Sequence, residues 1–355
     1  MAKVVPQRCN VGIDVSKDTL EVVFAERFPD RSRVKGRRKF NNTSKGHRAL
    51  LTWINKKHKH SELPLHFTME ATGVYYEELA YFLHDHGHIV HVELPNTTKA
   101  YAKSWNQKSK TDKIDARLLA YLGLERELRR WMPPSWNMLP IKRLCRERIR
   151  VLKDKTRLLN QLHAQKHAHQ ANRTTIKRLK QHIKLLEKQL KAIEEELQQM
   201  VQQDEQLNER IEQICTIKGV RLITAITIIA ETNGFALITS RAQLVSYVGY
   251  DVVHNESGSS LKGKTRISKK GNRYIRRALH WPAISAVKHE PIFKEFYQRV
   301  LEKSNIKMKA YVAVQRKLLV TIYALYKNKT AFDPEYTQKQ SIQKSRQDTM
   351  PAYTG

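Results

Sequence analysis

Asp14 lies inside an otherwise apolar run, VGIDV (11–15). A carboxylate there is costly to bury unless something cationic meets it. Glu70 ends the run LPLHFTME (63–70), where the side chains of a strand emerge at a sheet edge. Asp112 and Asp115, in KTDKIDAR (110–117), are three apart on a predicted helix and so share a face. Carboxylate oxygens suit a hard cation such as magnesium. Two such ions stabilise both the attacking and the leaving oxygen of a phosphodiester. Singly, each acid also has a structural use. Asp14 could pair with a core lysine, Glu70 could cap a helix starting at 71, and Asp112 could be an ordinary first-turn carboxylate.

A second chemical centre is Ser257, which opens SGSS (257–260) in a small-residue loop. It is followed by Lys262, Lys264, Arg266, Lys269, Lys270, Arg273, Arg276 and Arg277. Serine is a weak nucleophile unless its surroundings stabilise the alkoxide and the phosphate it attacks. Clustered cations would hold that phosphate and spread its developing charge. The competing reading is a flexible glycine–serine loop beside a phosphate-binding patch. The turn IKGV (217–220) is a further backbone site. As a helix–hairpin–helix element its backbone N–H groups around Gly219 would face a phosphate without reading sequence, with Lys218 and Arg221 as neighbouring nucleic-acid-binding cations. Cys9, Cys145 and Cys215 have no paired metal spacing and read as reduced thiols. His163, His167 and His169 lack carboxylate or cysteine company and read as a wet face rather than a metal site.

The elements that must position these residues follow from periodicity. NVGIDVSKDTLEVVF (10–24) predicts strand, tight turn, strand; RRKFNNT (37–43) predicts a third strand, and a helix of KGHRALLTWINKK type follows. Strands over 63–70 and 88–94, the latter closed by Pro95, alternate with helices over 73–87 and about 110–125. The expected fold is α/β plus α: an RNase H-like mixed-sheet domain at 1–130, whose strand–turn–strand entry carries an aspartate. Between 140 and 214 the chain has no glycine, and Ile176, Leu179, Ile183, Leu186, Leu190, Ile193, Leu197 and Met200 recur every three or four residues. The series skips Asp204 and resumes at Leu207, Ile211 and Ile214. This heptad seam predicts a coiled coil and, through it, a homo-oligomer, dimer or tetramer, with Asp204 weakening the packing locally. The alternative is a long helix folded onto the globular parts. Residues 215–330 read as a mainly helical domain carrying the serine loop, and 333–355 as a polar, disordered tail.

Composition bounds the partner. Among 355 residues, 65 Lys and Arg stand against 34 Asp and Glu, a formal net charge of +31. Such an excess is offset by a polyanion, since neutralising phosphates releases condensed counterions. No run of about 18 apolar residues is present to span a bilayer, and MAKVVPQRCN lacks the apolar core of a secretory signal. A cytoplasmic, nucleoid-associated protein is expected. Charge alone leaves open a non-enzymatic, coiled-coil nucleic-acid-binding protein whose carboxylates are structural.

The blocks VGIDVSKDTLEVVF, MEATGVYYEELAYFL and KTDKIDARLLAYL resemble the RuvC-like N-terminal domain of DEDD-type insertion-sequence transposases. That group includes Piv-type invertases and bridge-RNA-guided recombinases. IKGVRLITAITIIAETNGF, AQLVSYVGY and ESGSSLKGKTRISKKGNRYIRRAL resemble the same family's transposase domain, so the likeness runs from about residue 8 to about 330. The resemblance implies that Asp14, Glu70, Asp112 and Asp115 are an acidic tetrad binding Mg2+. It implies that Ser257, the serine of the block's SG pair, becomes linked to a DNA phosphate, although Ser259 and Ser260 lie close by. It also implies a structured guide RNA. Basic residues spread along the whole chain fit a protein that delegates sequence reading to base pairing. One departure is IKGV, where the family often has a proline–glycine turn. The enzymatic alternative is a RuvC-like junction nuclease that uses water and no serine.

Overall fold

The computed structural model describes residues 5–60, 62–71, 73–106, 111–133, 137–236, 238–253, 256–257, 261–262 and 266–335. It divides into two compact units, Met1–Pro133 and Pro134–Gly355.

The first unit is built on a five-stranded mixed sheet. Its elements are β1 (Arg8–Val15), β2 (Thr19–Arg27), β3 (Ser32–Asn41), α1 (Ser44–Lys57), β4 (Leu65–Glu70), α2 (Glu77–Asp85), β5 (Ile89–Glu93), α3 (Pro95–Ser104) and α4 (Asp112–Glu125). The strand order is β3-β2-β1-β4-β5. β1–β2 and β2–β3 pair antiparallel, and β4 pairs parallel with both β1 and β5. The expected turn is tied by Ser16, whose hydroxyl donates to the Thr19 carbonyl at 2.8 Å. Both faces of the central strands are covered. Val11, Ile13, Val22 and Phe24 join Leu50, Ile54, Leu79 and Leu83 of α1 and α2 on one side. Val23 and Ala25 join Ala116, Ala120 and Leu124 of α4 on the other. β3 is longer than its sequence motif because its first residues form a mostly exposed, Lys/Arg-rich edge, a composition that blocks edge pairing. Pro95 does more than close β5. It also opens α3, an element absent from the expected order, because proline is pre-organised for the first helical turn.

The second unit is mainly helical. α5 (Met138–His167) and α6 (Arg173–Gln202) run antiparallel, followed by α7 (Glu205–Cys215), α8 (Leu222–Glu231) and α9 (Arg241–Val248). Short ladders β6 (Val252–Val253), β7 (Glu256–Ser257), β8 (Leu261–Lys262) and β9 (Arg266–Ile267) lead to α10 (Arg273–Ala278), α11 (His280–His289), α12 (Pro291–Ser304) and α13 (Lys307–Asn328). The heptad seam is covered within the chain. Ile183 and Leu186 pack with Leu158 and Leu162 of α5. Ile193, Leu197 and Val201 join Met138, Ile141 and Cys145 in the main core. Arg148 meets Glu194 at 2.7 Å and Lys155 meets Glu187 at 2.9 Å, two pairs in antiparallel register. Asp204 is not a seam residue within one long helix. It is the N-cap of α7, accepting from the Leu207 N–H at 3.0 Å, so the helix breaks where the apolar series skips. No helix among the described residues is long and apolar enough to cross a membrane. The predicted disordered tail lies, from residue 336 on, outside the described residues.

Candidate functional site

The acidic residues come together through backbone register. In the β1–β4 ladder Ile13 pairs with Met69. Asp14 and Glu70 each follow by one residue, which puts them side by side at the ends of adjacent parallel strands. Both lie on the face that carries Gly12 and Thr68, since strand side chains alternate. α4 covers that face. A Cβ on Gly12 would lie 2.1 Å from the Ala120 nitrogen and 2.2 Å from the Ala116 oxygen, so only glycine admits the helix. Two residues earlier, Asn10 donates to the carbonyls of Leu119 and Ala120 at 3.3 and 2.8 Å and accepts from the Thr68 hydroxyl at 3.0 Å. Moving two residues along β1, about 6.6 Å, therefore moves about one turn, 5.4 Å, backwards along α4. Continued in that direction, the line of β1 leads from Gly12 through Asp14 toward the first turn of α4. That turn carries Asp112 and Asp115, behind an N-cap in which Thr111 accepts from the Ile114 N–H at 3.3 Å.

Asp14 and Glu70 thus share one end of the sheet, on the side whose covering helix, α4, carries Asp112 and Asp115 in its first turn. Their side chains are each engaged or exposed. Glu70 accepts from the Thr98 hydroxyl of α3, Asp14 and Asp115 each have an interaction partner, and Asp112 is exposed. Among the described residues, no three of His, Cys, Asp or Glu form a group that could hold a metal as they stand. The donor chemistry, all carboxylate oxygen, fits a hard divalent cation. Glu93 belongs to the same row. It pairs with Glu70 across β4–β5, and burial raises its carboxyl above the usual range. The motif reading passed over Glu93. The available signal was an acid at the last position of an apolar strand, the same signal that marks Glu70.

The serine block belongs to the second unit. Ser257 ends β7 and pairs with Leu261 of β8, so it occupies a short ladder rather than an open loop. Gly258, Ser259, Ser260 and Lys264 lie outside the described residues. Lys262 is in β8 and Arg266 in β9, where Arg266 pairs with Val253. Lys269, Lys270, Arg273 and Arg277 are exposed. Arg276 is partly buried and its guanidinium donates to the Val248 carbonyl, where the C-terminal dipole of α9 favours a cation. At the IKGV turn Gly219 has φ +100° and packs on Ser285 of α11. The Lys218 N–H donates to the Glu290 carboxylate at 3.2 Å, an internal partner in place of the expected phosphate. Lys218 and Arg221 keep exposed side chains.

A buried carboxylate anchors the base of this block. Glu231, at the end of α8, has a side chain with no solvent exposure. Arg146 of α5 holds it bidentately at 2.6 and 2.9 Å, and Asn272 donates to it at 2.7 Å. Asn272 is also the N-cap of α10, accepting from the Tyr274 and Ile275 N–H groups. The salt link holds the Arg146 guanidinium above its ordinary pKa, and that guanidinium stacks 4.5 Å from the Tyr274 ring centre. Sequence reasoning missed Glu231 because it sits in an apolar helix whose partners are distant in the chain.

Comparison with known proteins matches both units. The model for the IS110-type DEDD transposase covers residues 11–165, and that for the transposase IS116/IS110/IS902 family covers residues 211–298. Pilin gene-inverting proteins from Moraxella bovis and Moraxella lacunata are each 29% identical over 329 residues, 91% of this chain and 97% of theirs. Among solved structures, T. thermophilus RuvC in complex with a Holliday junction substrate aligns with TM-score 0.25 and 12% identity, over 35% of this chain and 100% of that one. Two domain models of one transposase family, in order along the chain, and relatives aligned nearly end to end support an IS110-type DEDD transposase family for this protein.

Proposed function

We propose that this transposase cleaves and rejoins DNA, with Asp14, Glu70, Asp112 and Asp115 holding Mg2+ and Ser257 attacking the scissile phosphate. The observation that carries the reading is the register of β1 and β4 together with the seat of α4 on Gly12. It supports a meeting of four acids that are up to 101 positions apart in sequence (14 to 115). When bound, magnesium neutralises phosphate oxygens and polarises the phosphorus. Thr98 holds one oxygen of Glu70 and so limits the directions its carboxylate can take. Lys269, Lys270, Arg273 and Arg277 offer cations to the DNA backbone.

The serine step conserves bonds. Ser257 Oγ forms an ester to phosphorus as its proton passes to a base or water. The sugar oxygen of the broken strand leaves with the electron pair of its P–O bond. A hydroxyl of another DNA end then reverses the exchange, so rejoining needs no nucleotide energy source. The gene inversion for which the Moraxella relatives are named is one outcome of such exchange. A structured guide RNA supplies sequence recognition, consistent with cations dispersed over the chain. Homo-oligomers, dimers or tetramers, form through the helical hairpin. Since its seam is used internally, they form through an outer surface that exposes Leu159 and Leu185.

The test begins by sequencing nucleic acid that co-purifies with the protein, which supplies the DNA and RNA for an exchange assay. Asp14→Ala is expected to abolish metal-dependent cleavage. Ser257→Ala is expected to abolish the protein–DNA adduct that survives denaturation while nucleic-acid binding persists. Cleavage in excess chelator, or an undiminished adduct with Ser257→Ala, would overturn the reading.

A further inference from the structure

α10 and α11 form one almost continuous helical rod. Leu279 between them is itself helical, donating to the Ile275 carbonyl and accepting from the Ala283 N–H, both at 3.0 Å. Ile275, Leu279, Ala283 and Ala286 are fully buried and define the inner face. The opposite face is set by the same 3.6-residue period. Arg273, Arg277, Trp281 and Lys288 fall within one stripe there, and all four are exposed.

Trp281 is 73% exposed, the most exposed large apolar side chain among the described residues. An indole that could bury a large area is left in water, held on a rigid helix and not on a loop. Its own surroundings supply no cover: the neighbouring His280 ring meets it edge-on at 5.4 Å. No Asp or Glu occurs between Gly271 and His289, so this segment carries no acid of its own beside its cations. A planar aromatic group one helical turn from a guanidinium, about 5.4 Å along the axis, offers a stacking surface and a phosphate contact at neighbouring positions. Single-stranded nucleic acid presents the complementary pair, an unstacked base and its own phosphate.

We propose that Trp281 is a stacking platform for an unpaired nucleobase, with Arg277 and Arg273 on the adjoining phosphates. The ligand class is a single-stranded or locally opened segment of DNA or RNA. The proposal rests on the nucleic-acid reading above and adds to it a specific base contact. It also explains why an isolated indole is placed among cations, an arrangement that a second copy of this equally basic surface would repel.

The test uses the full chain and three labelled probes at one salt concentration: a mixed-sequence single-stranded DNA, the same sequence as RNA, and a blunt DNA duplex. Trp281→Ala is expected to weaken binding to one or both single strands about 5- to 100-fold, with duplex binding changed less than about two-fold. Trp281→Phe should recover most of the loss, because a phenyl ring still stacks. The DNA and RNA arms tell which strand occupies the site. The exponent of salt dependence should be unchanged, since no charge is removed. Wild-type affinity of the alanine variant for both single strands overturns the proposal. So does an equal loss on duplex, or a loss that accompanies a smaller sedimentation coefficient of the free protein, which would seat a second copy on Trp281. If the wild type binds no probe, the nucleic-acid reading itself falls.

Discussion

Glu231 shows how one side chain can organise a site it does not enter. A fully buried carboxylate must be met by cations and donors, and here they come from α5 and from the cap of α10. The base of the serine-bearing arm is therefore tied to the helical hairpin through Glu231, and the stack of Arg146 on Tyr274 adds a second link. Ser268 and Lys269 add backbone bonds at the same base, to Asp251 at 2.8 Å and Gly249 at 3.1 Å. Glu231→Ala leaves Arg146 and Asn272 without their acceptor. It should lower unfolding stability by about 3 kcal/mol, somewhat moderated because Arg146 is partly solvated. Urea denaturation measures this; a loss below about 1 kcal/mol, the worth of an ordinary surface pair, would show that the network carries little. The acids of the first unit behave differently. Asp14 and Glu70 are half-buried at a strand end, and each is engaged there, Glu70 by the Thr98 hydroxyl.

At the level of elements, the first unit depends on how closely α4 approaches β1. Gly12 and Gly123 both permit that approach. A Cβ at Gly123 would lie 2.2 Å from Asn10 Nδ2, and one at Gly12 would meet helix backbone that cannot rotate away. Gly12→Ala should therefore push α4 outward, costing about 1–3 kcal/mol or more. It should also reduce metal-dependent cleavage by a larger factor than nucleic-acid binding, because the first turn of α4 carries Asp112 and Asp115. Thermal melts read beside cleavage assays test this; unchanged cleavage in a destabilised variant would separate the helix seat from the acidic site. The helical hairpin makes the complementary point. Its apolar seam reads as a partner surface, yet α5 supplies the partner from the same chain.

For the whole molecule, a formal charge of +31 makes affinity a function of salt. Each phosphate neutralised on duplex DNA contributes about −0.9 to the slope of log affinity against log salt. Binding should therefore fall steeply as salt rises, and Arg277→Ala should reduce the slope by about one. Filter binding over a range of salt concentrations checks both; a shallow slope in the wild type would contradict a backbone-dominated interface. Trp281→Ala should leave the slope alone, which separates stacking from charge.

The sequence by itself determined the strand–turn–strand entry, the alternation that builds the mixed sheet, the acid motifs and the apolar heptads, because each is a local pattern of residue types. It also carried the family motifs that the comparisons support. It missed α3, since a proline after a strand reads equally as a stop or as a first helical turn. It treated Asp204 as a flaw in a seam, since a cap and a skipped heptad look alike without backbone angles. Only the tertiary structure decided that Gly12 lies against α4, that Glu93 joins the acid row, that α5 covers the seam, and that Arg146, Glu231 and Asn272 meet. Those are contacts between distant segments. Each depends on which surfaces close in three dimensions, and no local periodicity encodes that choice.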